Sequence, residues 1–412
     1  MDNVEGLVCV GCGKQWSVEQ TLYTCPGCGE NVDVVYNYGG VKKHLGVDRL
    51  KRSRDWSMWR YRPVLPVKSR SPLPPLQVGW TPLYQAKDLA ASLGLRELFI
   101  KDEGRNPTAS LKDRASAVGV VKARELGFKT ITCASTGNAA SSLAGLSASV
   151  GLLSVIFVPE RAPKAKVAQL LVFGSRVLMV RGTYDQAFDL CLEASRQFNW
   201  YSRNTGYNPY LSEGKKTAAL EVCEQLGFRV PDKVFVSVGD GCIIGGLWKG
   251  FRDAHALGWI DGLPQLVGVQ AQGSAPLVKA WQSGKPVEPV VPDTIADSIA
   301  VGMPRDALKA LRAVRESRGQ MVAVSDAEIL EAMRVLGRQA AVFGEPAGVT
   351  GFAGLLKLLG AGAVRPDERV VVLVTGNGLK DAESAIRAGG EPTLIEATVE
   401  GMTAALGRLG LA

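Results

Sequence analysis

Histidine is nearly missing from this chain. His44 and His255 are the only two, and neither sits in a motif. Histidine-based acid–base chemistry is therefore excluded as a working scheme, and a lysine or a bound cofactor must carry any reaction. No run of 18 apolar residues occurs, which argues against a membrane-spanning helix. The start, Met1-Asp2-Asn3-Val4-Glu5, lacks the basic and apolar regions of a secretory signal, so a cytoplasmic location is expected. There is no low-complexity tract and no repeat of fixed period. Aromatic residues make up 7% of the chain and its lysines and arginines are scattered, so a net charge of +8 does not read as a nucleic-acid surface. A mildly basic surface suited to anionic small molecules is the better reading. Eight cysteines in 412 residues are too sparse for a disulfide scaffold. In a reducing compartment, paired cysteines point to metal instead.

Glycine, by contrast, is abundant, with 47 residues, as expected of a fold with many tight strand-to-helix turns. Short β-branched runs recur at Leu98–Ile100, Thr130–Thr132, Ser154–Val158, Arg176–Val180, Val234–Val238, Leu266–Val269 and Val370–Val374. Helical stretches separate most of them, the signature of parallel α/β sheets. Ligands in such sheets bind beyond the carboxyl ends of the strands, so the loops there are the candidates for chemistry.

Four of those loops stand out. The first runs Asn106-Pro107-Thr108-Ala109-Ser110-Leu111-Lys112-Asp113-Arg114 and leads into an amphipathic helix ending at Gly127. Ser110 is its expected N-cap, with Lys112 in the first turn, where the helix dipole disfavours an ammonium and favours a neutral amine. The second, Ser135-Thr136-Gly137-Asn138-Ala139, offers hydroxyls and helix-start amides to an anion, well suited to a substrate carboxylate. The third, Gly239-Asp240-Gly241-Cys242-Ile243, is a glycine-rich turn that lets amides approach a phosphate. It has neither the spacing of a dinucleotide fingerprint nor the lysine of a P-loop. The fourth, Thr375-Gly376-Asn377-Gly378-Leu379-Lys380-Asp381, presents a hydroxyl at the tip of the last strong strand.

Near the N-terminus, Cys9-Val10-Gly11-Cys12 and Cys25-Pro26-Gly27-Cys28 form two knuckles with twelve residues between them. Four thiolates in that pattern can enclose one tetrahedral zinc in a closed, structural site. Residues 41–77 are basic, aromatic and proline-rich and read as an arm whose tryptophans are packing anchors.

Taken together, Lys101-Asp102-Glu103-Gly104, Pro107 to Arg114, Ser135 to Asn138, Glu213-Gly214-Lys215-Lys216-Thr217, Glu345-Pro346-Ala347-Gly348 and Thr375 to Asp381 resemble the threonine synthase family. That family belongs to the fold-type II (tryptophan synthase β) pyridoxal phosphate enzymes. The resemblance runs to about Ala388. It implies two open, mainly parallel α/β domains behind a zinc-ribbon-like segment: residues 1–40 as ribbon, 41–77 as arm, 78–103 with 212–412 as the large domain, and 104–211 as a smaller inserted domain carrying the lysine. It implies that Lys112 bonds pyridoxal 5'-phosphate as an aldimine and later shuttles protons. Asn138 would hold the cofactor's phenolic oxygen, and Gly239, Asp240, Gly241, Cys242 and Ile243 its phosphate. Thr375 would meet its ring nitrogen. The substrate carboxylate falls to Ser135, Thr136, Asn138 and Ala139, and Cys9, Cys12, Cys25 and Cys28 are the expected zinc ligands.

The implied reaction is that of a lyase, converting O-phosphohomoserine to threonine and phosphate. Small amino acids are the implied partners, with no nucleic acid and no membrane, and the group is often homodimeric. The chain departs from the family where the substrate's phosphate would sit. Leu211 stands at the position of an arginine, Ile243 at that of an asparagine, Asn377 at that of a histidine, and Leu111 and Ala115 replace Phe and Gly beside the lysine. A lost guanidinium–phosphate contact costs ~1.5–3 kcal/mol. Arg203, Lys215 and Lys216 are the nearby cations that could replace it, although Lys216 matches the family's own lysine. The alternatives are a β-eliminating ammonia-lyase or β-replacement enzyme without a phosphate leaving group, and a non-catalytic metabolite-binding homologue.

Overall fold

The structure is a computed structural model that describes residues 2–160, 162 and 164–411. It contains three sheets. An antiparallel sheet of order β2-β1-β3 is built from β1 (Val4–Cys9), β2 (Gln15–Trp16) and β3 (Val32–Tyr36). A six-stranded sheet has the order β12-β11-β10-β13-β5-β4: Gln320–Val324, Gln265–Ala271, Lys233–Ser237, Arg369–Val374, Glu97–Asp102 and Leu83–Gln85. Every pairing in it is parallel except β4 with β5. A four-stranded, wholly parallel sheet has the order β8-β7-β6-β9: Arg176–Val180, Leu153–Pro159, Thr130–Ala134 and Tyr201–Ser202.

The strand sequences explain this arrangement. β10 (KVFVS) is buried at every position and β13 (RVVVLV) at all but one, because helices cover both faces of the sheet. Such near-continuous apolar runs belong to parallel sheets, whereas β3 alternates between buried and half-buried residues as a one-sided antiparallel strand does. All seven β-branched runs identified in the sequence form strands. The strand β12 and the two-residue β9 were not foreseen, being too polar or too short to carry a periodic signal.

Six helices frame the site: α1 (Lys112–Glu125), α2 (Asn138–Ser149), α3 (Tyr210–Gln225), α4 (Cys242–Ala256), α5 (Ala307–Glu316) and α6 (Pro346–Gly360). Two expectations for α1 fail. It is not amphipathic, since Asp113 through Ala123 are all buried; this is a central helix packed on every side. Ser110 is not its N-cap either. Leu111 occupies that position, and the buried Ser110 hydroxyl has no hydrogen-bond partner.

Close packing of α1, α3 and α4 depends on glycine. A Cβ on Gly214 of α3 would lie 2.1 Å from the Arg114 carbonyl oxygen, and one on Gly250 of α4 would lie 2.3 Å from that of Lys216. The three-stranded sheet docks on the outer side of this group. Tyr36 Oη donates to Glu213 Oε2 at 2.7 Å, Lys249 Nζ to the Val34 carbonyl at 2.8 Å, and Lys309 Nζ pairs with Asp33 at 2.7 Å. In the 41–77 segment, Trp59 and Tyr61 are buried, and Tyr61 Oη donates to Glu224 Oε2 at 2.6 Å. Trp56 is exposed, yet it packs against Trp80 and both rings contact the Arg60 guanidinium, a packing use rather than a ligand cage.

Candidate active site

Topology assembles the site. Strands β10, β13 and β5 are adjacent and parallel, so the loops at their carboxyl ends lie side by side although they are separated by well over a hundred residues in sequence. The lysine loop is fastened directly to the loop after β13. Leu111 N donates to the Thr375 carbonyl at 2.9 Å, Asn377 N donates to the Ala109 carbonyl at 3.0 Å, and Ser110 bridges Gly376. Ala109 takes a positive φ of 65° in this clamp.

Beneath the loop lies an ion network that fixes where α1 begins. Arg114 donates through Nε and Nη2 to Glu103, both at 2.7 Å, and through Nη1 and Nη2 to Glu221. Lys101 Nζ reaches Glu221 Oε2 at 2.7 Å and the Thr81 carbonyl at 2.7 Å. All four charged side chains are fully buried. The Lys101–Gly104 motif and Arg114 thus serve to hold the lysine loop. Asp113 accepts from Thr108 N at 2.6 Å, closing the loop on itself.

Lys112 itself is the first residue of α1, partly exposed, with no hydrogen-bond partner among the described residues. Its ammonium is destabilised, its pKa falling from 10.5 to about 8. Burial is the largest cause, and the cations Lys215 and Arg203 come next. The direction expected from the sequence holds, with burial and neighbouring charge as its principal sources.

Around Lys112 the other loops present unused donors. The amides of Gly239, Asp240, Gly241, Cys242 and Ile243 donate to no acceptor among the described residues, and they lie at the positive end of the fifteen-residue helix α4. Gly241 has a φ of +93°, and a Cβ there would meet the Asp306 carbonyl oxygen at 2.8 Å, so this turn requires glycine. Asp240 turns its carboxylate away to accept from Arg305 N at 3.2 Å. The Cys242 thiol is held protonated by burial and by Asp306. Ile243 is almost fully buried and contributes only its backbone. These five amides suit a phosphate dianion, Lys112 suits an aldehyde, and the Thr375 side chain has no hydrogen-bond partner among the described residues. The set fits pyridoxal 5'-phosphate.

The Ser135–Ala139 loop follows β6. Gly137 N donates to Ser135 Oγ at 3.2 Å, while the amides of Thr136, Asn138 and Ala139 have no acceptor among the described residues, leaving them available to a carboxylate. Asn138 is buried, and its Nδ2 donates to Glu345 Oε1, with Ser298 Oγ at 3.5 Å. Glu345 was not singled out as a site residue. Burial raises its pKa, and its place in the Glu345–Gly348 motif is the signal that could have found it. A Cβ on Gly376 would lie 2.1 Å from Glu345 Oε1 and 3.1 Å from Asn138 Nδ2, so the Asn138 and Thr375 loops also meet.

The four cysteines converge as well. The sulfurs of Cys9, Cys12, Cys25 and Cys28 all lie within 4.8 Å of one another, and Cys12 N donates to Cys9 Sγ at 3.4 Å. None of the described helices is long and apolar enough to cross a membrane.

Comparison with known proteins agrees with this geometry. Residues 75–376 match the family described as pyridoxal-phosphate dependent enzyme. A threonine synthase from Methanocaldococcus jannaschii is 43% identical over 94% of this chain and 96% of its own. Another, from Methanosarcina acetivorans, is 41% identical over 97% and 98%. Among solved structures, diaminopropionate ammonia lyase from Escherichia coli superposes with a TM-score of 0.66 at 19% identity, covering 82% of this chain and 93% of that one. Threonine deaminase isoform 2 from Solanum lycopersicum gives 0.65 at 23% identity, covering 75% and 87%. Those two establish a shared fold. The sequence relatives establish more: the chain belongs to the threonine synthase family of pyridoxal-phosphate dependent enzymes.

Proposed function

We propose that this protein converts O-phosphohomoserine and water to threonine and inorganic phosphate. The observation that carries the reading is the placement of Lys112. A lysine with a pKa near 8 stands between five unpaired amides at the start of α4 and the Thr375 hydroxyl. Bound pyridoxal phosphate supplies an electron-withdrawing ring that stabilises negative charge at the substrate's α-carbon. Gly239, Asp240, Gly241, Cys242 and Ile243 hold its phosphate through backbone N–H groups. Asn138 directs one amide proton to Glu345 and has only the long 3.5 Å contact with Ser298 Oγ for the other, which it can give up to the cofactor's ring oxygen. Thr375 offers a neutral hydroxyl to the ring nitrogen, which moderates the electron sink and favours elimination over transamination. Ser135, Thr136, Asn138 and Ala139 orient the substrate carboxylate at the positive end of α2. Lys112 Nζ, largely neutral above about pH 8, takes the α-proton and returns protons later.

The chain divides into residues 1–40, an arm at 41–77, a large domain of 78–103 with 212–412, and an inserted domain of 104–211. Substrate enters between the last two, and their closure excludes water. The four cysteines hold one structural zinc. Metal analysis should give one zinc per chain and a clear loss in Cys9→Ser; unchanged zinc in that variant would refute the ligand set.

The activity is tested on purified protein. Wild type should show a visible absorbance band and release phosphate from O-phosphohomoserine, while Lys112→Ala should do neither. Ammonia and a 2-oxo acid formed from serine or threonine, with no phosphate release, would replace this reading by the ammonia-lyase one, which the apolar Leu211 and Ile243 favour.

A further inference from the structure

Two buried cations are left over by everything described so far. Arg203 and Lys215 are 0% and 1% exposed. The other fully buried cations, Lys101, Arg114 and Lys216, each have a carboxylate partner, Lys216 with Asp253 at 2.6 Å. Arg203 and Lys215 have none among the described residues. Arg203 Nε donates to Ser116 Oγ at 3.1 Å and Nη1 to Thr205 Oγ1 at 3.2 Å, but Nη2 is buried without a partner. Lys215 Nζ is buried with no partner among the described residues. An unpaired buried charge costs several kcal/mol, so two of them side by side call for an anion.

Their positions say where that anion lies. Arg203 follows β9, and its N–H donates to the Thr132 carbonyl of β6 at 2.8 Å. It therefore sits at the carboxyl edge of the small sheet, beside the Ser135–Ala139 loop. Lys215 lies on α3 against the first turns of α4, its Cβ 3.1 Å from where a Cβ on Gly246 would be. Both cations depress the Lys112 ammonium, and Arg203 depresses that of Lys215, so the three share one region. The nearby carboxylates are already engaged: Asp240 with Arg305 N, Asp306 with Asn31 Nδ2, Asp113 with Thr108. A Cβ on Gly119 of α1 would meet Leu211 Cδ2 at 3.2 Å and Arg203 Cγ at 3.9 Å. Leucine at 211 and the stem of Arg203 thus share one patch of α1, and the guanidinium missing from position 211 is supplied from eight residues upstream.

We propose that Arg203 and Lys215 grip the phosphate of the substrate, a relocated site for a phosphate dianion distinct from the α4 amides that suit the cofactor's phosphate. The proposal rests on the function given above and specifies its substrate class: an amino acid carrying a phosphoryl ester. When the substrate's carbon–oxygen bond breaks, its electron pair leaves on the phosphate oxygen, and the two cations stabilise the added charge until inorganic phosphate departs.

The test uses the full chain loaded with pyridoxal phosphate. KM for O-phosphohomoserine, Ki for inorganic phosphate and affinity for pyridoxal phosphate are measured for wild type, K215Q, R203Q, R203K and R203L with and without L211R, each checked for a native melting transition. Loss of one charge-assisted contact should raise both KM and Ki by about tenfold or more, with cofactor affinity within about twofold. R203K should retain part of the effect, and L211R should restore phosphate binding to R203L. A fall in cofactor affinity with Ki unchanged would overturn the proposal, assigning these cations to the cofactor's own phosphate. Unchanged KM and Ki in both glutamine variants would also overturn it. Should wild type fail to turn over O-phosphohomoserine, the proposed function fails, yet displacement of the visible band by inorganic phosphate, weakened in K215Q, still reports on the cation pair.

Discussion

The lowered basicity of Lys112 can be measured before any substrate is added. Its pKa falls from 10.5 to about 8, by burial first and then by Lys215 and Arg203. At pH 8 about half of such amines are neutral, against about 0.3% for an ordinary lysine, a gain in reactive amine of about 150-fold. Protein stripped of pyridoxal phosphate should therefore recapture it far faster than a reference peptide lysine does. The sign fixes the pH dependence. Below about pH 8 both amines lose reactive form in parallel, so the rate advantage is constant. Between about pH 8 and 10.5 only the peptide amine still gains, so the advantage shrinks. The ratio of the two rates, followed by growth of the visible band from pH 7 to 10, cancels the titrations of pyridoxal phosphate itself. A ratio that stays flat through pH 10 would refute the depressed pKa. Lys215→Gln, which removes the larger neighbouring cation, should move the inflection upward.

Two structural predictions accompany it. Arg114→Met leaves Glu103 buried without a counter-ion and should cost about 3–5 kcal/mol in denaturant unfolding; a loss below about 1 kcal/mol would mean the network does not hold the lysine loop. Gly214→Ala places a methyl 2.1 Å from the Arg114 carbonyl oxygen, so α1 must move away from α3. It should lower stability by about 1–3 kcal/mol and slow pyridoxal phosphate capture, and capture at the wild-type rate would show that Lys112 is not positioned by this contact.

Much of the protein was legible in its residues. The β-branched runs became the parallel strands because burial on both faces admits little else, and the Cys-x-x-Cys knuckles met because two tight turns on a short ribbon have few ways to arrange their sulfurs. The lysine loop and the glycine-rich turn after β10 could be marked as neighbours in function, since strand ends in such sheets share one edge.

Other features arise only from contacts between distant segments. Ser110 has the composition of an N-cap, yet the clamp between Ala109 and Asn377 starts the helix one residue later. A periodicity reading could not reveal α1 as a central helix, because burial on all sides depends on α3 and α2 packing around it. Above all, Arg203, Lys215 and Lys216 were equivalent in sequence as substitutes for a missing arginine. Charge pairing separates them. Lys216 is neutralised by Glu213 and Asp253 beneath the docked sheet, whereas Arg203 and Lys215 are buried with no carboxylate partner among the described residues. The sequence by itself determined the fold family, the loop that carries Lys112 and the type of cofactor, because local motifs encode them. Which cations keep an unspent charge was decided by tertiary structure, because a charge is free or spent according to what folds against it.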